Sequence, residues 1–510
     1  MIVPRLPRIR TGRIFEPLGW GFVFALAHGQ LPLYSGNQNS YLLHAVARVE
    51  PAGLAQDWAA RTLDPFPLFT GLSVVLMRLA PDVLQIAYGA LLLAYGAALW
   101  GLVRMATPAS GWPGRTAATS FLVLLHSVQL SFLARNLRDP WTPEFWTSGL
   151  ASQYALGPVW QPCVFGALLV LAVALAARRR PVAAVACAVA AQAFHASYML
   201  SAAMLIAGVA WAAWSEGTRP GRAFGLLAGG AVAMLPFVVF NGLRFGPTDP
   251  QAFAVAQTVL FSERIPQHAD PAYWWTSLAW LKIGLIAAGL ACVWKQPLRR
   301  VWLVPVAGGL VLSVAAGLSR NAALSLLFPW RVSVWLVPVS LAVVVGWLAE
   351  IVGRRSPGRY VLTLLAALGV GACLLAAALG VLGGRQLKAA TDPAYRELLA
   401  AVRDQLRPGE VLLIPPHLEE FRLDARVPVW IDRKTHPYRD VEILAWKERL
   451  AAAGAWYGGN SKPLETLDPD GAVALALLDP VTAGTPLPPA AECTFSNANY
   501  RLIRWERTAP

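Results

Sequence analysis

The chain has 510 residues, 56% hydrophobic and only 14% charged, with a mean hydropathy of +0.48. That balance excludes an ordinary soluble domain, where about a quarter of residues are charged, and excludes a disordered chain, which is poor in apolar residues. The net charge of +14 does not point to nucleic acid, because from Arg385 onward there are 16 basic and 17 acidic residues, against 27 and 12 before it.

In chain order, a basic start (Arg5, Arg8, Arg10, Arg13) leads into an apolar run from Leu18 to Leu33. Ala25-Leu26-Ala27 is like a signal-peptide cleavage site, but the run continues beyond it, so an uncleaved first span is expected. Pro67–Ala80 reaches only about 21 Å as a helix, short of a hydrocarbon core of roughly 30 Å, and is expected to be interfacial or re-entrant. Further spans are expected near 83–103, 117–133, 162–177, 181–195, 198–214, 223–240, 274–294, 301–318, 331–349 and 360–383. Basic clusters punctuate them at Arg178–Arg180, Arg219/Arg222, Lys295/Arg299/Arg300 and Arg354/Arg355/Arg359. Positive residues in short loops face the cytoplasm, and eleven spans satisfy every cluster with the N-terminus in and the C-terminus out.

The expected fold class is therefore mostly α. A polytopic membrane helix bundle of about eleven spans (1–384) has external loops at 34–82, 134–161 and 241–273. A small α/β external domain (385–510) follows it. In that tail, helices are expected at Pro393–Leu406 and Asp440–Gly454. Strands are expected at Val411–Ile414, Val427–Ile431, Ala472–Leu478 and Arg501–Trp505. The five cysteines are scattered without a metal or disulfide spacing.

The expected working side is the elaborated, external one. In the first external loop, Asp57 and Asp64 are candidate general bases, and Asp57 a candidate metal ligand. Both can equally cap short helices, Asp64 standing before Pro65. The second loop offers Arg138 with Trp141 and Trp146, guanidinium and aromatic faces suited to a sugar, or else an interfacial aromatic belt. His195 and Tyr198 lie at a turn between two spans, where an ionisable group tends to be functional. Arg264, His268 and Asp270 stand together in the third loop, able to engage a phosphate and assist proton transfer. Arg331 opens a span near the same side. Tail residues Arg433, Lys434 and His436 are either a solvated face or a closure over an anionic lipid-linked substrate. Dinucleotide, P-loop, HExxH and GxSxG signatures are absent, so nothing supports an ATPase, metalloprotease or serine hydrolase.

Several strings carry a family likeness: Gly36-Asn37-Gln38-Asn39-Ser40-Tyr41-Leu42-Leu43-His44, Gln56-Asp57-Trp58, Trp160-Gln161-Pro162, Arg264-Ile265-Pro266-Gln267-His268-Ala269-Asp270 and Asp432-Arg433-Lys434-Thr435-His436-Pro437. With the span arrangement, they make the chain resemble a poorly characterised bacterial branch of the GT-C membrane glycosyltransferases. The resemblance implies a multi-pass protein of the bacterial inner membrane with a periplasmic tail. It also implies transfer of a sugar from a polyprenyl-phosphate donor by an acidic residue of the first loop, in some members with a divalent cation (Mg or Mn). The implied partners are the lipid bilayer and a polyprenyl-phosphate-linked sugar, with no nucleic acid. Many such enzymes carry a carboxylate soon after the first span, where this chain has Asn37, Gln38 and Asn39. The role then falls to Asp57 or Asp64, or activity has been lost. A transporter or flippase for a lipid-linked or anionic solute, and a non-catalytic membrane scaffold, are the alternatives.

Overall fold

A computed structural model describes residues 15–127, 146–389, 392–488 and 491–505. Among the described residues, twelve apolar helices run through the first three quarters. They are α1 (Phe15–His28), α2 (Pro67–Leu79), α3 (Val83–Ala106), α4 (Gly111–Leu125) and α5 (Ala167–Ala177, entered through a 3-10 turn at Pro162–Gly166). Next come α6 (Pro181–Phe194), α7 (Met199–Ser215), α8 (Pro220–Phe245), α9 (Ser277–Cys292), α10 (Arg299–Ser319), α11 (Ser333–Gly353) and α12 (Ser356–Ala389). Six of the described helices are long and apolar enough to cross a membrane. All eleven expected spans meet a helix, and the chain is a polytopic helical membrane protein.

Their order follows from hydropathy without amphipathic patterning: in a lipid solvent the backbone must satisfy itself, and helices do so within one segment. Prolines stand in the first turn of α2, α6 and α8, where a missing N–H costs nothing. Helix α11 is buried along most of its length, while α8 keeps only Ala223, Gly230 and Met234 buried. Small residues set the closest helix approaches. A Cβ at Gly96 of α3 would lie 2.6 Å from Phe24 Cβ of α1.

The two ends of the bundle differ in charge. At one end, the Arg178 side chain lies beside Gly101, Arg179 pairs with Glu216, and Glu350 accepts from the amides of Ala109 and Ser110. The basic clusters at 178–180, 219–222, 295–300 and 354–359 sit at this end. At the other end, Leu31 N donates to Pro158 O, His268 Nδ1 meets Ala151 O, and Thr248 donates to Asp440. Helix α2 does not cross. Its N-terminus stands beside His195, and α3 starts at the same end, where Gln85 bonds Leu31 O.

The tail lies at that second end. Helix α13 (Pro393–Gln405) and helix α14 (Asp440–Tyr457) pack on a four-stranded sheet of β1 (Val411–Leu413), β2 (Val473–Leu478), β3 (Glu492–Ser496) and β4 (Arg501–Arg504) in the order β1-β2-β4-β3. Strand β1 runs parallel to β2, and β4 pairs antiparallel with both β2 and β3. The strand expected at Val427–Ile431 forms only a bridge between Leu412 and Val429. That bridge is made by Leu412 N to Pro428 O and Trp430 N to Leu412 O, while Val429 N faces the other way and donates to the carboxylate of Asp57. Strand β3 was not expected: its side chains are mostly exposed, so it lacks an apolar alternation.

The tail's core does not stop at the tail. Ala256, Val259 and Leu260 are buried together with Trp430, Trp446 and Ile503, and Trp58 packs against the same cluster. Arg449 lies over the rings of both Trp58 and Trp430, at 4.9 and 4.0 Å. Gly53 permits one close approach in this assembly, since a Cβ there would stand 2.6 Å from Arg426 O. Backbone cannot yield as a side chain can. Gly53→Ala is expected to cost about 1–3 kcal/mol, read as a lower midpoint of thermal unfolding and earlier proteolysis of the tail.

Candidate functional site

Two cavities meet at the tail end of the bundle. The first, about 70 Å³, is half-enclosed by Ser40, Tyr41, His44, Asp64 and Phe66 from the first loop, Arg264 from the third, and Lys434, Thr435, His436 and Tyr438 from the tail. The second is an open cleft of about 690 Å³, within the range of small-molecule sites. Arg48, Arg61, Arg244 and Arg439 line it, with Glu442 and the apolar Pro67 and Phe240. His44, Thr62, Leu63 and Asp64 belong to both, forming the wall between them.

Local structure explains how Asp64 reaches that wall. Its Oδ1 accepts from Phe66 N at 3.0 Å and Thr70 Oγ1 at 3.1 Å, an Asx turn that leads into Pro67 and α2. Its Oδ2 accepts from Arg48 Nη2 at 2.9 Å, and its side chain is 11% exposed. Arg48 and His44 stand four residues apart on the helix Leu43–Val49, hence on one face. Burial holds the His44 imidazole below its ordinary value, the neighbouring Asp64 charge opposing this, so it is neutral near pH 7. Burial, with Arg264 beside it, pushes His436 down to about 3. Glu442 accepts from Leu63 N through both oxygens and is raised by burial. The first turn of α14 thus fixes the peptide next to Asp64, while its Asp440 holds Thr248 N and Oγ1.

Asp57 is placed elsewhere. Fully buried, it caps the helix Trp58–Arg61 through Ala60 N, and its other oxygen accepts from Arg422 Nε at 2.7 Å and Val429 N at 2.9 Å. Both oxygens of Asp57 are thus held by donors, and Asp57 lines neither of the two cavities. No group of three or more His, Cys, Asp or Glu able to hold a metal ion occurs among the described residues.

The remaining expected residues divide by surroundings. Arg264, Lys434 and His436 line the half-enclosed cavity. His268 is tied to backbone, its Nδ1 at 2.9 Å from Ala151 O and its carbonyl accepting from Trp330 Nε1. Asp270 caps a short helix through Ala272 N. His195, Tyr198 and Arg331 form a separate buried group behind Phe66. There Arg331 Nε donates to Gln153 at 3.1 Å, Nη1 lies 3.2 Å from His195 Nε2 and also bonds Ser197, and Tyr198 donates to Cys163 O. The His195 ring lies 5.3 Å from the Phe66 ring, tilted at 57°, which joins that group to the cavity wall. Trp146 packs against the main core, and Arg433 is exposed and lines neither cavity. Arg138 and Trp141 lie outside the described residues.

Sequence reasoning missed the four cleft arginines. One signal was available for Arg244: it ends a span on the side where the positive-inside rule expects few cations.

Residues 393–453 match a domain of unknown function, DUF6798. That segment runs from α13 to within α14 and includes Arg422, Lys434, His436, Arg439 and Glu442. Among solved structures, the chain is similar to ArnT from Cupriavidus metallidurans, both bound to undecaprenyl phosphate and in the apo state. In each case the identity is 13%, the TM-score is 0.47, and 97% of this chain and 98% of that one are covered. No curated protein matches the chain.

Proposed function

We propose that the protein is a membrane glycosyltransferase that moves a sugar from a polyprenyl-phosphate donor to an envelope acceptor at the external face. The observation that carries this reading is the position of Asp64, a carboxylate in the wall between an arginine-lined cleft and a half-enclosed polar cavity. The cleft suits the donor. Arg48, Arg61, Arg244 and Arg439 offer charge-assisted bonds to one phosphate, and Phe240 and Pro67 continue the apolar surface of α8 and α2 toward the lipid. The positive-inside rule supports the orientation, because the basic clusters gather at the opposite end.

Chemistry then follows from the wall. With the phosphate among the arginines, the sugar's anomeric carbon faces Asp64. An acceptor hydroxyl entering from the half-enclosed side gives its proton to the Asp64 carboxylate as its oxygen bonds to that carbon. The carbon–oxygen bond to phosphate breaks, and polyprenyl phosphate leaves with the electron pair. Arginines stabilise the charge growing on the leaving phosphate. Holding both partners in one geometry supplies much of the remaining acceleration.

The donor cleft is tested by binding of polyprenyl phosphate to the full chain in nanodiscs. Arg244→Ala with Arg439→Ala is expected to weaken binding tenfold or more, since a hydrogen bond to a charged group contributes about 1.5–3 kcal/mol. Its salt dependence should also become shallower. Unchanged affinity in the double variant would place the donor elsewhere.

A further inference from the structure

The half-enclosed cavity holds positive charge that one donor phosphate does not use. Arg264 Nη2 donates at 2.8 Å to the carbonyl of Lys434, and its Nε is buried without a partner. Arg264 forms no ion pair among the described residues. Lys434 pairs at 3.3 Å with Glu419, which is not part of the wall. Asp64, the carboxylate lining this cavity, is bonded to Arg48 on the cleft side. Neutral donors also line it, among them Ser40, Tyr41, Thr435 and Tyr438. A partly buried guanidinium left without an anion is costly. The volume of about 70 Å³ exceeds the roughly 10–15 Å³ that one water needs, which leaves room for an oxyanion.

We propose that this cavity is a second anion subsite, which takes a phosphate or carboxylate group carried by the acceptor, so that the protein glycosylates an acidic acceptor. The assignment to the acceptor rests on the transferase reading; the anion subsite itself does not. Asp64 then stands between two cationic compartments, the donor's phosphate on one side and the acceptor's acid group on the other. Arg264 acts in this arrangement as a substrate-binding residue that sets specificity.

The test uses the full chain in nanodiscs saturated with polyprenyl phosphate, titrated with inorganic phosphate and, separately, with acetate. One further equivalent of anion is expected to bind. The preferred probe names the acceptor's acid group as phosphate or carboxylate. Arg264→Gln should weaken that second binding tenfold or more and leave polyprenyl phosphate binding as it was, which also reports an intact fold. Arg264→Lys, which keeps the charge, should retain most of it. Absence of a second equivalent in the wild type, or equal affinity in Arg264→Gln, overturns the subsite. If the second anion binds as expected while Asp64→Asn still transfers sugar at the full rate, the subsite stands and the transferase reading fails.

Discussion

Asp64→Asn is expected to reduce sugar transfer by about 10²–10⁴-fold, the range over which general-base catalysis acts. The substitution keeps shape and most local bonding, because the amide oxygen still accepts from Phe66 N and Thr70 Oγ1. What it removes is the proton acceptor and the pair with Arg48. That pair contributes little to stability: Arg48 is half exposed, and exposed pairs are worth about 0–1 kcal/mol. Expression and the thermal midpoint should therefore hold. Donor affinity should also stay within a few-fold, since all four cleft arginines remain. Loss of turnover with binding preserved separates a base from a structural residue; full turnover would remove Asp64 from the mechanism.

Arg422→Met is expected to be the most destabilising single change at the tail. Arg422 is 1% exposed and holds two buried carboxylates, Asp57 at 2.7 Å and Asp432. Asp57 belongs to the first loop. Asp432 also accepts from the amides of Lys434 and Thr435, and so shapes the segment that lines the half-enclosed cavity. Removing the guanidinium strands both charges, at a cost of about 3–5 kcal/mol. A lower unfolding midpoint and release of the tail to protease should follow. Adding Asp57→Asn should recover part of the loss, because the amide oxygen can still accept from Val429 N. A purely additive pair of effects would mean the two residues are not coupled.

The bundle was legible in the sequence because hydropathy and basic clusters are local signals. For α2, its short length and the placement of Arg178–Arg180 together pointed to an interfacial or re-entrant helix. The site was less legible, and Asp57 shows why. From its neighbours it is a membrane-side acid like Asp64, and its capping role was a readable alternative. What occupies its carboxylate is Arg422, 365 residues later in the chain, and nothing near Asp57 announces that partner. His268 and Asp270 share a short run with Arg264, yet their side chains serve Ala151 O and a helix cap. The cleft arginines come from the first loop, the end of α8 and the start of α14, so only folding assembles them.

A lipid phosphate is expected to bind beside Asp64 in the arginine cleft. The most direct measurement is a structure of the full chain in a nanodisc with polyprenyl phosphate. Density for the phosphate among Arg48, Arg61, Arg244 and Arg439, with the chain leaving past Phe240, is the predicted result. A phosphate held anywhere else, with this cleft empty at saturating lipid, would contradict it.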